Sequence, residues 1–289
     1  MDFWFSELHT DNVKLSIKVD KQIYSEENDQ TRIDIFESLE YGRVLVVDGY
    51  IIMTEKDEFI YHEMMTHIPM AVHPDPKKIL VFGAGDGGVV RELLKYPEVE
   101  RIDMVEVNVG VVEAAKKYLP FSAGGLDDSR VTIYTQNVLR YVRHIVKEYD
   151  VIIVDSAGFY GPGESLLSRE FYGSCYKALK DDGIMVNQHQ SPFYQDDRIE
   201  TEKAHKRIVD CFPISRIYQA HIPSYPSGYW LFGFASKKYH PVNDIDAQRW
   251  NAKHIETNYY TTNLHKGCFA LPAYVERMLA KVENDKVTR

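Results

Sequence analysis

The sequence predicts an α/β fold, a parallel-rich sheet with crossover helices, preceded by a small N-terminal β-domain. Short apolar runs at 79–82, 102–107, 131–134, 151–154 and 184–186 alternate with helical segments, the pattern of a parallel sheet with crossovers. Residues 1–60 read as β-rich instead, with 13–19 alternating with period two as half-buried strands do. A glycine-rich turn joins the first apolar run to a helix.

The elements follow in order. VKLSIKV (13–19), IDIFE (33–37) and RVLVV (43–47) are predicted strands, the last ending at Asp48-Gly49, a hairpin turn pair. From Glu58 the pattern turns helical through EFIYHEMMTHIPMAV, and His73-Pro74-Asp75-Pro76 breaks the chain. The predicted division is therefore 1–60, a β-domain, and 61–289, the larger α/β domain. Segments 88–96 and 111–118 read as helices, and 217–220 and 229–235 as further strands around Tyr225-Pro226-Ser227-Gly228.

Composition bounds the function. The 289 residues carry 34 Lys and Arg against 43 Asp and Glu, a net charge of -9. An acidic chain without a basic cluster argues against a nucleic-acid partner, because phosphate binding needs clustered Lys and Arg. The three cysteines lack metal-ligand spacing and fit a reducing compartment. The start, MDFWFSELHT, has no basic region followed by an apolar one, and no apolar run reaches the length of a membrane span. A soluble cytoplasmic protein without membrane association is expected.

The turn is KKILVFGAGDGGVVRE (77–92), where Gly83, Gly85 and Gly88 complete G-x-G-x-x-G between strand and helix, with Gly87 beside them. Such glycines let the backbone approach a ligand closely, and Glu106, at the end of the next strand, can accept from ribose hydroxyls. This is a Rossmann-like nucleotide site. Asp86 inside the loop would repel a pyrophosphate but favours a sulfonium or an ammonium. S-adenosylmethionine or a derivative therefore fits better than NAD.

These stretches carry a family. LVVDGYIIMTEKDEFIYHEMMTHIP (45–69), LVFGAGDGGVVRELLKYPEVERIDMVEV (80–107), YDVIIVDS (149–156), GPGESL (161–166) and IPSYPSG (222–228) resemble spermidine synthases, the polyamine aminopropyltransferases. The resemblance implies an S-adenosylmethionine-type transferase fold, an N-terminal β-domain used in oligomerisation (homodimer or homotetramer), and decarboxylated S-adenosylmethionine as donor to an amine, without a metal. It implies that Asp86 holds the donor's ammonium, Glu106 the ribose and Asp155 a substrate amine. Tyr61 and Tyr225 would line the junction of donor and acceptor, with Gln136 and Asn137 on the adenine side.

The departures from that family fall in the pocket. D-S-[ST]-[DE]-P becomes Asp155-Ser156-Ala157-Gly158-Phe159, so Gly158 replaces the carboxylate expected to deprotonate the amine. Gln-x-[DE] becomes Gln188-His189-Gln190, and Phe193 stands where Trp is common. Gln136-Asn137 replaces Gly-Asp, Asn108 replaces Asp, and a customary Gln is Thr31 with Gln30 displaced by one. A charge-assisted hydrogen bond to an ammonium contributes roughly 1.5–3 kcal/mol. Losing two weakens diamine binding by about 3–6 kcal/mol, or roughly 10²–10⁴-fold. Phe159, Tyr160 and His189 make the acceptor side more aromatic and less acidic, and His189 is a candidate replacement base.

Three readings follow. The first is a transferase of this family with an altered acceptor or donor, which includes methyl or aminocarboxypropyl transfer from S-adenosylmethionine to an amine or amino acid. The second is an ordinary spermidine synthase compensated by Asp155, Glu164 and water. The third, a non-catalytic adenosyl-binding protein, is disfavoured by the retention of Asp86, Glu106, Asp155 and Tyr225.

Overall fold

The computed structural model describes residues 2–27, 31–155 and 168–287. The predicted site residues Gly158 and Tyr160, with Phe159 and Glu164, lie outside them, as does Gln30. Strands β1 (Phe3–Thr10) and β2 (Val13–Val19) form a hairpin. A four-stranded antiparallel meander follows: β3 (Lys21–Glu27), β4 (Arg32–Ser38), β5 (Gly42–Val47) and β6 (Tyr50–Thr54). Ile17 and Val19 of the hairpin pack on Val44, Val46 and Ile51 of the meander. The β5–β6 turn is the predicted one, with Asp48 at φ 51° and Gly49 at φ 85°. A two-residue turn with both φ positive matches the twist of the strands it joins.

Helix α1 (Glu58–Val72) leads into the α/β domain and is buried along nearly its whole length. The core sheet then builds from β7 (Lys78–Gly83), α2 (Gly88–Leu94), β8 (Arg101–Val105), α3 (Val109–Tyr118), the short α4 (Pro120–Ala123), β9 (Val131–Tyr134) and α5 (Val138–Val142). Next come β10 (Tyr149–Asp155), α6 (Arg169–Ala178), β11 (Leu179–Gln188), α7 (Gln195–Cys211), β12 (Ile214–His221) and β13 (Tyr229–Ser236). Helices α8 (Ala247–Asn251), α9 (Thr262–Gly267) and α10 (Ala273–Val287) close the chain. Among the described residues no helix is long and apolar enough to cross a membrane.

The seven strands run in the order β12-β13-β11-β10-β7-β8-β9. β11, β10, β7, β8 and β9 are parallel, while β13 is antiparallel to both β11 and β12. One face (Ile79, Val81, Val151, Ile153, Val186) packs against Met64, Met65 and Ile68 of α1 and Val89 and Val90 of α2. The other (Leu80, Phe82, Ile152, Val154, Met185) packs against Val142 of α5, Phe171 and Cys175 of α6, and Ile208 of α7. The order reverses between β7 and β10, which places their carboxyl ends at the crevice where such sheets bind ligands.

Candidate active site

Gly83 ends β7 at φ 83°, beside Asp155 at the end of β10, and the Asp155 carbonyl accepts from Ala84 N at 3.1 Å. The loop turns back at Gly87, φ 87°, and α2 begins at Gly88. Two of these glycines make room for protein rather than for a ligand. A Cβ on Gly87 would stand 2.7 Å from Ala123 Cα, and one on Gly88 would stand 2.2 Å from the His62 ring. On Gly85 it would meet Val111 at 2.9 Å and Glu106 Oε2 at 3.1 Å.

Asp86 is 6% exposed. Its Oδ1 accepts from Gly88 N at 2.8 Å and from Ser122 Oγ at 3.2 Å, and lies 3.1 Å from His62 Nε2. Burial opposes its charge, yet His62 and these donors hold the carboxyl well below the usual range. Burial likewise opposes a charge on His62, but Asp86 and Glu58, the latter at Nδ1, hold it well above an ordinary histidine.

One residue earlier on α1, Tyr61 donates its hydroxyl to Asp155 Oδ1 at 2.6 Å. Asp155 Oδ2 is buried with no hydrogen-bond partner among the described residues. Burial, and then the nearby Asp86 carboxylate, push Asp155 up to about 7. Ligand atoms of His62, Asp86 and Asp155 lie within 4.8 Å of one another. Glu106, just beyond β8, is pushed upward by burial against the backbone N–H groups of Asn108, Val107 and Gly85. Its Oε1 accepts from Asn108 N at 2.8 Å.

Tyr225 packs 6.2 Å from Tyr61 and 4.8 Å from Trp230, centroid to centroid. Its hydroxyl donates to the Ile52 carbonyl of β6 at 2.7 Å, so it faces the N-terminal strands rather than Asp155. The turn bearing it is pinned by Asp57, which accepts from Ser224 N and Oγ at 2.8 and 2.9 Å. Gln136 and Asn137 are exposed at the β9–α5 turn, and Asn137 caps α5 by accepting from Arg140 N. Gln188 is half-buried at the end of β11, and Gln190 is 4% exposed.

Two predicted residues stand apart from the cluster. One is His189, the candidate replacement base. Along β11, Val186 faces α1 while Met185 faces α6 and α7, and His189 falls on the latter side. Its ring lies edge-on to His205 of α7 at 6.2 Å, over the space left by Gly233. Burial and His205 hold it neutral. Phe193, placed on the acceptor side by sequence, is 72% exposed, with its ring edge-on to Tyr194.

Two polar residues of the YHEM stretch received no role from sequence. One is His62. The other is Glu63, whose carboxylate accepts from the N–H groups of Asn258, Tyr259 and Tyr260. The His62 signal was its spacing of four from Glu58, which places both on one helical face.

Comparison with known proteins gives the family. Residues 58–247 match the spermine/spermidine synthase domain, and residues 3–55 match the spermidine synthase tetramerisation domain. The chain is 56% identical over 283 residues to polyamine aminopropyltransferases of Clostridium perfringens and Alkaliphilus oremlandii, covering 98% of this chain and 100% of each relative. A crystal structure of a spermidine synthase in complex with the transition state analogue AdoDATO superposes with a TM-score of 0.94 at 43% identity, covering 96% of this chain and 95% of that one. Spermidine synthase from Thermotoga maritima gives 0.91 at 43% identity, covering 96% and 94%. With its glycine loop, its Tyr61–Asp155 pair and both domains matched, the chain belongs to the spermine/spermidine synthase family and is a transferase.

Proposed function

We propose that this protein moves an aminopropyl group from decarboxylated S-adenosylmethionine to an amine, and that this amine is not simple putrescine. The observation that carries the transfer is the convergence of Tyr61, His62, Asp86 and Asp155 at the carboxyl ends of β7 and β10. The adenosyl group lies along residues 83–88 with its ribose on Glu106, and the donor's ammonium lies on Asp86. The acceptor nitrogen attacks the carbon next to the sulfonium. The C–S bond breaks with its electron pair passing to sulfur, and methylthioadenosine leaves as a neutral thioether. The proton shed by the amine passes to Asp155, whose Oδ2 has no partner among the described residues and whose carboxyl sits near neutrality.

The altered acceptor rests on Gly158 and Gln190, where the family's pattern has carboxylates. Residues 1–60 serve as the oligomerisation unit and 61–289 as the catalytic one. The exposed Phe3, Trp4 and Leu8 of β1 support an assembly surface, and light scattering at micromolar concentration should find more than a monomer. Mass spectrometry of products from a panel of amines and amino acids with each donor tests the reaction. Efficient spermidine formation from putrescine by the wild type would replace this reading with an ordinary spermidine synthase.

A further inference from the structure

We propose that Glu58 is a positioning residue for the transfer: acting through His62, it fixes the Asp86 carboxylate where the donor's ammonium binds. The proposal rests on the placement of that ammonium on Asp86 given above.

Glu58 and His62 stand four residues apart in the first turns of α1, so their side chains share one face. The Glu58 carboxylate is held from two sides. Arg91 of α2 grips it as a fork, Nη1 to Oε1 at 2.7 Å and Nη2 to Oε2 at 2.9 Å. Arg91 is itself tied to the Phe121 carbonyl at 3.0 Å and to Glu92 Oε1 at 3.1 Å. On the other side Glu58 Oε2 meets His62 Nδ1. With Nδ1 engaged by a carboxylate and the ring wedged against Gly88, Nε2 is directed at Asp86 Oδ1, 3.1 Å away.

Three donors thereby converge on one oxygen of Asp86: Gly88 N, Ser122 Oγ and His62 Nε2. Oδ2 takes part in none of these bonds. The rotamer is fixed before any ligand arrives, which is how a binding site avoids an ordering cost. Charge follows the same geometry. Asp86 and Asp155 are close enough to repel, and the raised carboxyl of Asp155 is pushed up partly by Asp86. The groups facing His62 are Glu58 on its own helix, Asp86 from the loop, Asp155 from β10 and the Tyr61 ring, with Arg91 behind Glu58. A ring bonded to carboxylates at both nitrogens carries two protons, and that cation keeps Asp86 ionised beside a second carboxylate. Without Glu58, Nδ1 loses its acceptor. The ring becomes free to turn and to go neutral, and Asp86, left with Gly88 N and Ser122 Oγ, loses its fixed third donor and its screening.

Glu58→Gln tests this by calorimetry with two ligands. Decarboxylated S-adenosylmethionine carries the ammonium, and methylthioadenosine lacks it. The variant should bind the first about 10–100-fold more weakly and the second within about two-fold of wild type. In ¹⁵N NMR the wild-type His62 ring should stay doubly protonated beyond about pH 9, and in the variant it should titrate near neutrality. Equal weakening of both ligands, or of neither, overturns the role of Glu58. A wild type that does not prefer the ammonium-bearing ligand instead overturns the placement of the ammonium on Asp86, so the two failures are distinct. Should the variant not fold, the wild-type spectrum decides, and a singly protonated His62 at about pH 7.5 sinks the proposal.

Discussion

Tyr61 and Asp155 are joined across two structural elements, α1 and β10, by a hydrogen bond of 2.6 Å that uses only one carboxylate oxygen. The other oxygen is buried and has no partner among the described residues, a costly arrangement for a carboxylate. Asp155→Asn should lower turnover by about 10²–10⁴-fold while raising stability by about 1 kcal/mol. The folded-state value, about 7, lies above the ordinary 3.8. Stability from this group is therefore full below about pH 4 and is lost as pH rises through about 7. Thermal melts at pH 5 and pH 8 should show the wild type losing more stability between them than the Asn variant.

His9 sits 3.0 Å from Asp197 at the start of α7 and 3.6 Å from Glu7. Burial opposes its charge, but the two carboxylates raise it to about 9. A raised histidine contributes stability that is full below its unfolded value of 6.5 and is lost as pH rises through about 9. Urea denaturation between those limits should show wild-type stability falling, and His9→Gln should flatten that slope.

Glu63 holds three successive backbone N–H groups at 2.7–2.8 Å. Removing the carboxylate strands those donors against α1. Glu63→Ala should destabilise by about 2–4 kcal/mol, and hydrogen exchange should rise first at residues 258–260.

Glu106→Ala should weaken methylthioadenosine binding by about 10–100-fold, the worth of a charge-assisted hydrogen bond to ribose. Calorimetry decides it. Unchanged affinity would move the nucleoside elsewhere.

Much of the fold was legible because apolar period and turn chemistry agree locally. The runs at 79–82 and 151–154 became the neighbouring central strands β7 and β10, and Asp48-Gly49 became the hairpin turn. β3, with the sequence KQIYSEE, escaped because it is an edge strand and largely exposed, and its two packed residues, Ile23 and Tyr24, are adjacent rather than alternating. α10 escaped as well, since its apolar side, Val275, Met278 and Leu279, is covered by the distant Ile217 and Leu231. At the site, the positions of Asp86 in the loop and Glu106 just beyond β8 were legible from the strand–loop–helix context. The facing of His189 was not legible, because it depends on the parity of β11, which a motif does not carry. His62 was overlooked because its role comes from contacts with Glu58 and with Asp86, on a loop that only folding brings near.

The contact between Gly88 and His62 changes how the glycine loop should be understood as an inherited pattern. The last glycine of the motif is dictated by an imidazole from another element, which would collide with even a methyl group there. Positions 62 and 88 therefore form one unit of descent. A lineage that replaces the histidine with a smaller residue frees its partner to vary, whereas one that keeps it should never accumulate alanine at the other site. Substitution statistics across relatives should record that linkage even though the two residues lie on different elements.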